Sequence, residues 1–392
     1  MENTKVKWTT FLKDVLICSL GAYGGPEAHY GVFIDQMVIK KKYLTEDEMI
    51  ELIALTGILP GPSSTQTIVS IGHKVGGPLL AFLTMIVWAL PVLSIMTLLS
   101  FLYAFLANRN ISSDILRFIG PMAVGFIFLA AYRISRKVVN NFLTIGLFLV
   151  GAITTYFFRQ PWVFPLVLLF GGFMSVITSK EEKLWYHVTL NPPWKYLMWF
   201  LFFAIFSLIL YTIFPTRLLH LFESFYRYGY LVIGGGQVVI PYMYSDLVTI
   251  NQFMTHQEFL TGFGLVQGLP GPMFSFSAYA GGMAARDLGT FSQILGALLS
   301  GVGIFLPGLL LIFFVYPIWE NLKTIKGIKV SLKGITAVAA GLIATAGVIL
   351  LQNTGFELLN IVIIAITIIL LLTKKIPAPL IVLSMILLGV LI

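Results

Sequence analysis

Charged residues are scarce in this sequence of 392 residues. Only 11% of the residues are Asp, Glu, Lys or Arg, whereas 58% are hydrophobic, and the mean hydropathy is +0.91. Soluble domains carry about 25% charged residues, so a chain this apolar cannot cover its surface in water. The composition excludes a soluble enzyme and predicts a membrane protein. At roughly 20 residues per crossing, the length accommodates about a dozen spans and no separate soluble domain.

Several kinds of reactive site are also missing. The single cysteine, Cys18, excludes an intramolecular disulfide and any cluster of cysteines on a metal. Five scattered histidines show no zinc-binding spacing, and no Walker motif indicates ATP hydrolysis. The glycine run at residues 234–236 lacks the βαβ context of a dinucleotide fingerprint. We therefore expect no catalytic residues, no cofactor and no metal, and the net charge of +8 gives no reason to expect nucleic acid as a partner.

Twelve runs without Asp, Glu, Lys or Arg and one weaker segment at the start of the chain make thirteen candidate membrane segments. They are residues 13–33, 52–73, 75–108, 118–132, 138–158, 160–179, 196–216, 228–245, 259–285, 288–319, 334–356, 358–373 and 376–392. The first is the weakest and is rich in glycine. The best linker is the charged stretch 180–195, whose tryptophans suit a membrane interface. An all-α, polytopic membrane protein is the predicted fold class.

Two motifs recur at one spacing along the chain. Gly-Gly-Pro at residues 24–26 is followed 210 residues later by Gly-Gly-Gly at 234–236. Leu-Pro-Gly-Pro at residues 59–62 recurs at the same offset, at 269–272. Further matches follow in order, first at offset 210 and then at offset 216. This pattern indicates an internal duplication.

The number of spans before the second copy sets its orientation. Seven segments precede it, and an odd number inverts the copy, which is a common plan among transporters. We predict two inverted repeats of about six transmembrane or re-entrant helices: a first repeat at 1–180, a linker and connecting span at 181–217, and a second repeat at 218–392. If each Pro-Gly-Pro segment is a re-entrant hairpin, the count becomes even. Both topologies are open at this point.

The distribution of basic residues tests the orientation. With the N-terminus inside, alternate loops place 16 of the 25 Lys and Arg residues inside and nine outside. The lysines at residues 40–42 are assigned outside and dissent from this bias. Arg133, Arg136 and Lys137 end one span, where cytoplasmic anchoring is the first interpretation and attraction of anions into a vestibule is the second.

The first Pro-Gly-Pro motif predicts a broken helix. Pro60 and Pro62 flank Gly61 within an apolar segment, and each proline removes a backbone donor and disfavours the preceding turn. Broken backbone at membrane depth survives where it is buried in protein or lines a cavity. The Ser-Ser-Thr-Gln of residues 63–66 follows as a polar start for a half-helix, and a helix N-terminus with free amides is suited to an anion.

The second copy repeats the break at residues 270–272 with different side chains. Ser275 and Ser277 replace the first hydroxyls, and Gln267 precedes the motif. The alternative interpretation is that both motifs are packing kinks, since Pro and Gly are frequent in membrane helices. The duplication favours a functional role.

A third break lies near the start of the chain. Gly24, Gly25 and Pro26 are followed by Glu27 and His29. Ionisable residues in membrane segments are often functional, and histidine titrates near neutrality, so His29 or Glu27 could carry a coupling proton. The other interpretation places both at the membrane interface. The corresponding stretch of the second copy has no acid or histidine, which confines this role to the first half.

At these residues the sequence resembles the chromate ion transporter family in its long, two-repeat form. The resemblance covers nearly the whole chain. It rests on the stretch 23–29, Lys40, Lys41, 59–62 and Gln66, and on their second-copy counterparts Gly234, Gly235, Gly236, Gln267 and 270–272. Tyr23 stands where the family usually has Phe, and Gly57 stands where a Gln often precedes the first motif, while Gln267 keeps it in the second.

The resemblance implies a secondary active transporter that exports chromate, or a related tetrahedral oxyanion such as sulfate, through the inner membrane of the cell. A transporter or channel for another small organic or inorganic anion is the alternative, and an intramembrane enzyme is a third. A homodimer is one open assembly state. The candidate substrate-binding residues are Pro60, Gly61, Pro62, Ser63, Ser64, Thr65, Gln66, Gln267, Pro270, Gly271, Pro272 and Ser275. The candidates for coupling or gating are Gly24, Gly25, Pro26, Glu27, His29, Lys40, Lys41, Gly234, Gly235 and Gly236.

Overall fold

The computed structural model describes residues 6–107, 109, 115–158, 160, 162–181, 183–185, 188–233 and 236–391. Throughout these residues the secondary structure is helical, apart from one isolated antiparallel bridge between Tyr23 and Pro270. The predicted all-α fold is confirmed. The α-helices are α1 (Trp8–Gly21), α2 (Pro26–Phe33), α3 (Glu46–Ile58), α4 (Ser63–Ala107), α5 (Ile119–Val138), α6 (Phe142–Phe157), α7 (Val163–Ile177), α8 (Trp194–Ile213), α9 (Arg217–Leu231), α10 (Ile240–Tyr244), α11 (His256–Gln267), α12 (Phe276–Ala285), α13 (Thr290–Val315), α14 (Trp319–Leu322), α15 (Lys326–Thr354), α16 (Leu358–Thr373) and α17 (Ala378–Leu391).

The described helices include long apolar ones, as a polytopic membrane protein requires. Four stretches are long and apolar enough to cross a bilayer, namely α4, α8, α15 and Thr290–Leu322, which begins with α13. Four shorter apolar helices, α6, α7, α16 and α17, have between 14 and 16 residues. Short helices can cross where the bilayer thins or flanking side chains extend to the interface.

The first Pro-Gly-Pro segment is a re-entrant hairpin, which we call hairpin 2 (residues 46–75). A capping box between Thr45 and Glu48 starts α3, and the chain turns at Gly61, where φ is +126°. Near the end of the returning arm, the ammonium of Lys74 pairs with Glu48 at 2.8 Å. Each arm has 13 residues, or about 20 Å at 1.5 Å per residue. The ion pair joins the two ends of the segment, so the chain returns to the face from which it entered.

The predicted single span at residues 13–33 is wrong, because the chain reverses there and forms hairpin 1 (residues 8–40). The reversal follows α1 at Gly24, where φ is +90°, and α2 then begins at Pro26, whose missing amide suits a helix start. The two arms are joined at Asp14, which accepts hydrogen bonds from Gln36 at 2.8 Å and Tyr43 at 2.6 Å. The second arm of hairpin 1 ends in a π-helical segment, Ile34–Lys40.

The second repeat contains equivalent elements, hairpin 3 (residues 217–250) and hairpin 4 (residues 256–285). The predicted span at 228–245 is wrong, because α9 ends at Leu231. The ends of hairpin 3 approach each other, with 3.4 Å between Asn251 Nδ2 and His220 Nε2. Hairpin 4 repeats the capping box of hairpin 2 and pairs Glu258 with Arg286 at 3.0 Å.

The remaining helices of the two repeats correspond at offset 216. Thus α6 (Phe142–Phe157) matches α16 (Leu358–Thr373) end to end. The turn that leads out of each Pro-Gly-Pro hairpin is also repeated, since Gly77 has φ +75° and Gly289 has φ +96°. Only glycine adopts such angles readily, and the two glycines let the chain pass from the hairpin into a crossing helix.

With two re-entrant hairpins in each repeat, the number of membrane crossings between the two repeats can be counted. Five helices separate hairpin 2 from hairpin 3: residues 78–107 of α4, then α5, α6, α7 and α8. Five is odd, so the two repeats are inverted. The expectation that re-entrant Pro-Gly-Pro segments would make the count even was wrong, because the first segment re-enters as well.

Ion pairs connect the loops of each membrane face. Lys323 pairs with Glu51 at 2.8 Å on one face, and Arg217 pairs with Asp287 on the other. We call the face that holds Lys42, Lys74 and Lys323 the lysine face, and the face that holds Arg217 and Arg286 the arginine face. The assignment of residues 40–42 to the face opposite Lys74 was wrong, because hairpin 1 and hairpin 2 both return.

The corrected topology sharpens the asymmetry in charge. Of the described lysines and arginines, eighteen belong to segments that reach the lysine face, including every lysine. Five belong to segments of the arginine face, namely Arg109, Arg117, Arg217, Arg227 and Arg286. Excess positive charge marks the cytoplasmic side of a membrane protein, so we infer that the lysine face is cytoplasmic.

Candidate functional site

The tips of the four hairpins meet in the middle of the protein. The Gly61 amide at the tip of hairpin 2 donates to the Val232 carbonyl of hairpin 3 at 2.7 Å. The Gly271 amide at the tip of hairpin 4 donates to the Ala22 carbonyl of hairpin 1, also at 2.7 Å. The two bonds are related by the offset of 210 with the repeats exchanged. The tips are thus tied across the repeats by a local pseudo-twofold arrangement.

A cavity of about 740 Å³ lies beside these tips. It reaches the lysine face, because its wall includes Lys137 and Val138 at the end of α5. Its wall is formed by Gly24, Gly25, Pro26, Glu27, Ala28, Thr56, Gly57, Leu59, Gly61, Ser63, Phe126, Leu129, Ala130, Arg133, Ile134, Lys137, Val138, Gly236, Gln237, Gln267, Thr336, Leu371, Lys374 and Ala378. Both repeats contribute to it.

The inner part of the cavity offers neutral hydrogen-bond donors. Ser63 is the first residue of α4, where the helix has amides without intrahelical partners. Gln267 is 8% exposed, and its Nε2 group is buried without a partner among the described residues. Thr56 and Gln237 also line the cavity, but both are already bonded within the protein, the Thr56 hydroxyl to Thr67 at 2.8 Å and Gln237 Nε2 to Met273 Sδ at 3.7 Å. A buried amide donor costs free energy unless something accepts from it, so the site is suited to a ligand rich in acceptor oxygens.

The mouth of the cavity carries charged side chains. Arg133 donates from Nη2 to the Leu371 carbonyl at 3.1 Å, in the last turn of α16. The ammonium of Lys137 forms an ion pair with Glu27, and these side chains are 67% and 70% exposed. Lys374 follows α16 directly. With one acid and three cations, the mouth is positive overall.

Three of the predicted binding residues lie behind the cavity wall. Ser64 hydrogen-bonds to Nδ1 of His29 at 2.9 Å, and Thr65 accepts from the indole of Trp88 at 3.1 Å. Gln66 donates from Nε2 to the carbonyl of Pro60 at 2.8 Å. The same group reaches the Gly308 carbonyl at 3.3 Å. These side chains hold the tip of hairpin 2 in place.

His29 and Glu27 occupy different environments although two residues separate them. His29 is 1% exposed and lies edge-on to Trp88, with 5.5 Å between the ring centroids. Its Nε2 atom is buried and has no partner among the described residues. Glu27 instead lines the cavity.

The other predicted residues are distributed around the tips or away from them. Pro60, Pro62, Pro270, Gly271 and Pro272 form the tips themselves, outside the cavity wall. Ser275 is fully buried, and its hydroxyl has no partner in the part of the chain that the structure describes. Gly24, Gly25, Pro26 and Gly236 line the cavity, whereas Gly234 and Gly235 lie outside the described residues.

The predicted lysines, Lys40 and Lys41, are not part of the cavity wall. Lys40 pairs with Asp35 at 2.6 Å, and Lys41 pairs with Asp14 at 3.1 Å. The basic residues that do line the cavity are Arg133, Lys137 and Lys374. Sequence reasoning kept Arg133 and Lys137 chiefly as anchors and did not single out Lys374. The available signal was that these three basic residues lie at the C-terminal ends of two helices that reach the same membrane face.

Comparison with known proteins gives a consistent result. The family model described as "Chromate transporter" matches residues 9–176 and 219–390, which covers both repeats. The chain is 26% identical over 381 residues to a probable chromate transport protein of Synechococcus elongatus, covering 95% of this chain and 92% of that one. It is 23% identical over 378 residues to a chromate transport protein of Cupriavidus metallidurans, covering 94% and 88%.

A third relative is an uncharacterized transporter of Methanocaldococcus jannaschii, 27% identical over 307 residues, which are 77% of this chain and 74% of that one. No solved structure matches the chain. These relatives are transport proteins and not enzymes. The paired hairpin tips and the cavity therefore have to be explained as parts of a membrane transport protein.

Proposed function

The chain belongs to the chromate transporter family, and from that premise we propose that it exports chromate, or a related tetrahedral oxyanion such as sulfate, across the cytoplasmic membrane. The observation that carries the proposal is the cavity at the four hairpin tips, which combines the start of α4 at Ser63 and the unpartnered Nε2 group of Gln267 with a positive mouth. A dianion needs both, because it must replace its water with hydrogen-bond donors and be attracted out of solution.

The binding site would use backbone and side-chain donors together. The start of α4 at Ser63 presents free amides and the positive end of a helix dipole, which favours an anion. Gln267 would donate from the second repeat through its unpartnered Nε2 group. Gly61 lines the cavity and lets the backbone approach the ligand. This arrangement corresponds to inverted-repeat transporters that bind substrate near the midplane between broken helices.

Transport would proceed by alternating access. Each repeat holds the tips of the other through the bonds Gly61–Val232 and Gly271–Ala22. One repeat can therefore rock against the other about the hairpin tips. The tips, and the binding site beside them, stay together during this motion. The coupling ion would be a proton. Of the two candidate carriers, His29 and Glu27, we propose the buried His29, because Glu27 is already paired with Lys137.

The proposal is tested by flux into proteoliposomes that contain the purified protein. Chromate and sulfate should each be transported and should compete with each other, and Gln267→Ala should reduce both fluxes. A protein that transports neither oxyanion would contradict the proposal. Empty liposomes, and liposomes with a variant that disrupts the tip of hairpin 2, serve as controls.

The size of the cavity supports a second candidate function. A volume of about 740 Å³ lies within the range of about 300–1,000 Å³ for sites that hold drug-sized ligands, and a tetrahedral oxyanion fills only a small part of it. The second candidate is a transporter or channel for a larger organic anion. Competition by a panel of organic anions against chromate flux separates the two.

A further inference from the structure

The large cavity has a closed counterpart on the arginine face. Four residues of the cavity wall, Ala130, Arg133, Ile134 and Leu371, correspond at offset 216 to Ala346, Ile349, Leu350 and Thr155. Those four counterparts all line one pocket of about 10 Å³. A space of that size holds about one water molecule. The structure is therefore open at the lysine-face mouth and closed at the equivalent arginine-face mouth.

The two mouths differ in charge. Arg133, Lys137 and Lys374 of the open mouth correspond to Ile349, Asn353 and Phe158, none of which is charged. The acid of the open mouth corresponds to a neutral residue as well, since Gln237 matches Glu27. The open mouth thus has three cations and one acid, a net charge of two positive units, and its counterpart has no charge at these positions.

Helix capping does not explain this difference. Cations are often placed at helix C-termini, because they offset the partial negative charge there, and Arg133 does bond to the end of α16. The equivalent ends on the other mouth, at α15 and α6, would have the same need. They carry Asn353 and Phe158 instead. The three cations are therefore a feature of the lysine-face mouth and not of helix C-termini in general.

We propose that Arg133, Lys137 and Lys374 form an anion-loading site at the lysine-face mouth, whereas the arginine-face mouth, which has no charge at the three equivalent positions, is the release side. Glu27 completes the site as a tethered carboxylate that pairs with Lys137 until a substrate anion displaces it. This inference rests on the proposed function, and it gives a kinetic reason for preferential loading of the substrate anion from the lysine face; the net direction of transport is set by the gradients that drive it. A charge-lined cleft raises the local concentration of its counter-ion, with effects on association of about 10- to 1,000-fold that fall as salt increases.

The test compares the two faces of one protein. Initial chromate flux is measured in oriented proteoliposomes from each face, at low salt and at 0.5 M salt with an inert anion. We expect KM at low salt to be at least about tenfold lower from the lysine face. The advantage should shrink at high salt, where screening acts over a few ångströms.

Neutralising variants assign the effect to the named residues. Lys137→Gln/Lys374→Gln keeps the Arg133 bond and should remove most of the difference in KM, with KM from the arginine face unchanged. Lys180→Gln/Lys183→Gln makes the same change in charge with exposed lysines outside the cavity wall and should leave KM as in the wild type. Glu27→Gln should lower KM from the lysine face. Asn353→Lys should lower KM from the arginine face.

The outcomes separate the inference from the proposed function. Equal KM from both faces of the wild type, or equal effects of the two double variants, would overturn the loading site while leaving chromate transport intact. A wild type that transports neither chromate nor sulfate from either face would overturn both. Folding of every variant is checked by size-exclusion chromatography and thermal unfolding.

Discussion

The amide of Gly61 donates to the carbonyl of Val232 at 2.7 Å, and this bond joins the tip of a Pro-Gly-Pro hairpin to the opposite repeat. Its pseudo-symmetric counterpart has the same length. A pair of exchanged bonds of this kind fixes both hairpin tips while leaving the outer arms in separate repeats. The centre of the protein is therefore the part that stays together, and the mouths are the parts that can open and close.

The first prediction concerns the glycines of the tips. A Cβ atom at Gly61 would lie 2.6 Å from Gln66 Nε2, and one at Gly271 would lie 2.7 Å from a methyl group of Val92. Both positions also have φ near +100° or above, which side chains rarely adopt. Gly61→Val or Gly271→Val should each destabilise the protein by about 1–3 kcal/mol and reduce flux.

Thermal unfolding in detergent measures this cost. Gly31→Ala is the matched control, because Gly31 is exposed in α2 and a Cβ there meets nothing within 4 Å. Unfolding temperatures of the valine variants equal to that of the control would show that the tips tolerate side chains and do not need glycine.

The second prediction concerns topology. Single cysteines replace Thr45, Lys74 or Thr255 in a Cys18→Ser background and are labelled with an impermeant thiol reagent. Thr45 and Lys74 bracket hairpin 2, so both should be labelled from the lysine face, whereas Thr255 should be labelled from the arginine face. Labelling of residues 45 and 74 from opposite faces would mean that the segment crosses the membrane.

The third prediction distinguishes ligand contacts from structural contacts. Ser63 and Gln267 line the cavity, and a hydrogen bond to a charged group contributes about 1.5–3 kcal/mol. Ser63→Ala or Gln267→Ala should therefore weaken chromate binding by about 10- to 100-fold. Ser64→Ala and Thr65→Ala remove bonds to His29 and Trp88 instead, so they should lower the unfolding temperature more than the affinity.

Binding of chromate to purified protein, measured by calorimetry beside thermal unfolding, separates the two classes of variant. The result that counts against this assignment is wild-type affinity in both Ser63→Ala and Gln267→Ala. Such a result would leave the hairpin tips as structural elements and would move the substrate site to another part of the cavity.

The sequence predicts where the helices break, but it does not predict whether the chain crosses the membrane or returns after each break. Two prolines around Gly61 require a broken helix, and α4 does begin at Ser63. The return of the chain shows only in a long-range contact, between Glu48 and Lys74, which lie 26 residues apart and carry no local signal of direction. The same limit applies to hairpin 1, where an apolar glycine-rich run is compatible with one span or with two half-length arms.

The sequence likewise predicts one part of the candidate site and misses another. Motif-based reasoning finds Ser63, Gln267 and Glu27, because they adjoin the breaks. It also selects Gln66, which the fold uses to bond the carbonyls of Pro60 and Gly308. The basic mouth depends on tertiary structure, since Arg133 meets the end of α16 across 238 residues of sequence.

The fourth prediction concerns the coupling proton. His29 is buried beside the tip of hairpin 2, bonded through Nδ1 to Ser64 and unpartnered at Nε2 among the described residues. A proton taken up there would change the charge next to the start of α4, where the anion is proposed to bind, whereas Glu27 is already paired with Lys137 at the mouth. His29→Gln should abolish flux driven by a pH gradient and preserve exchange of chromate down its own gradient.

Glu27→Gln serves as the comparison for this fourth prediction and should keep the response to pH while changing KM. The measurement is chromate flux with and without an imposed pH gradient, and a His29→Gln protein that still responds to the gradient as the wild type does would remove His29 from the coupling mechanism.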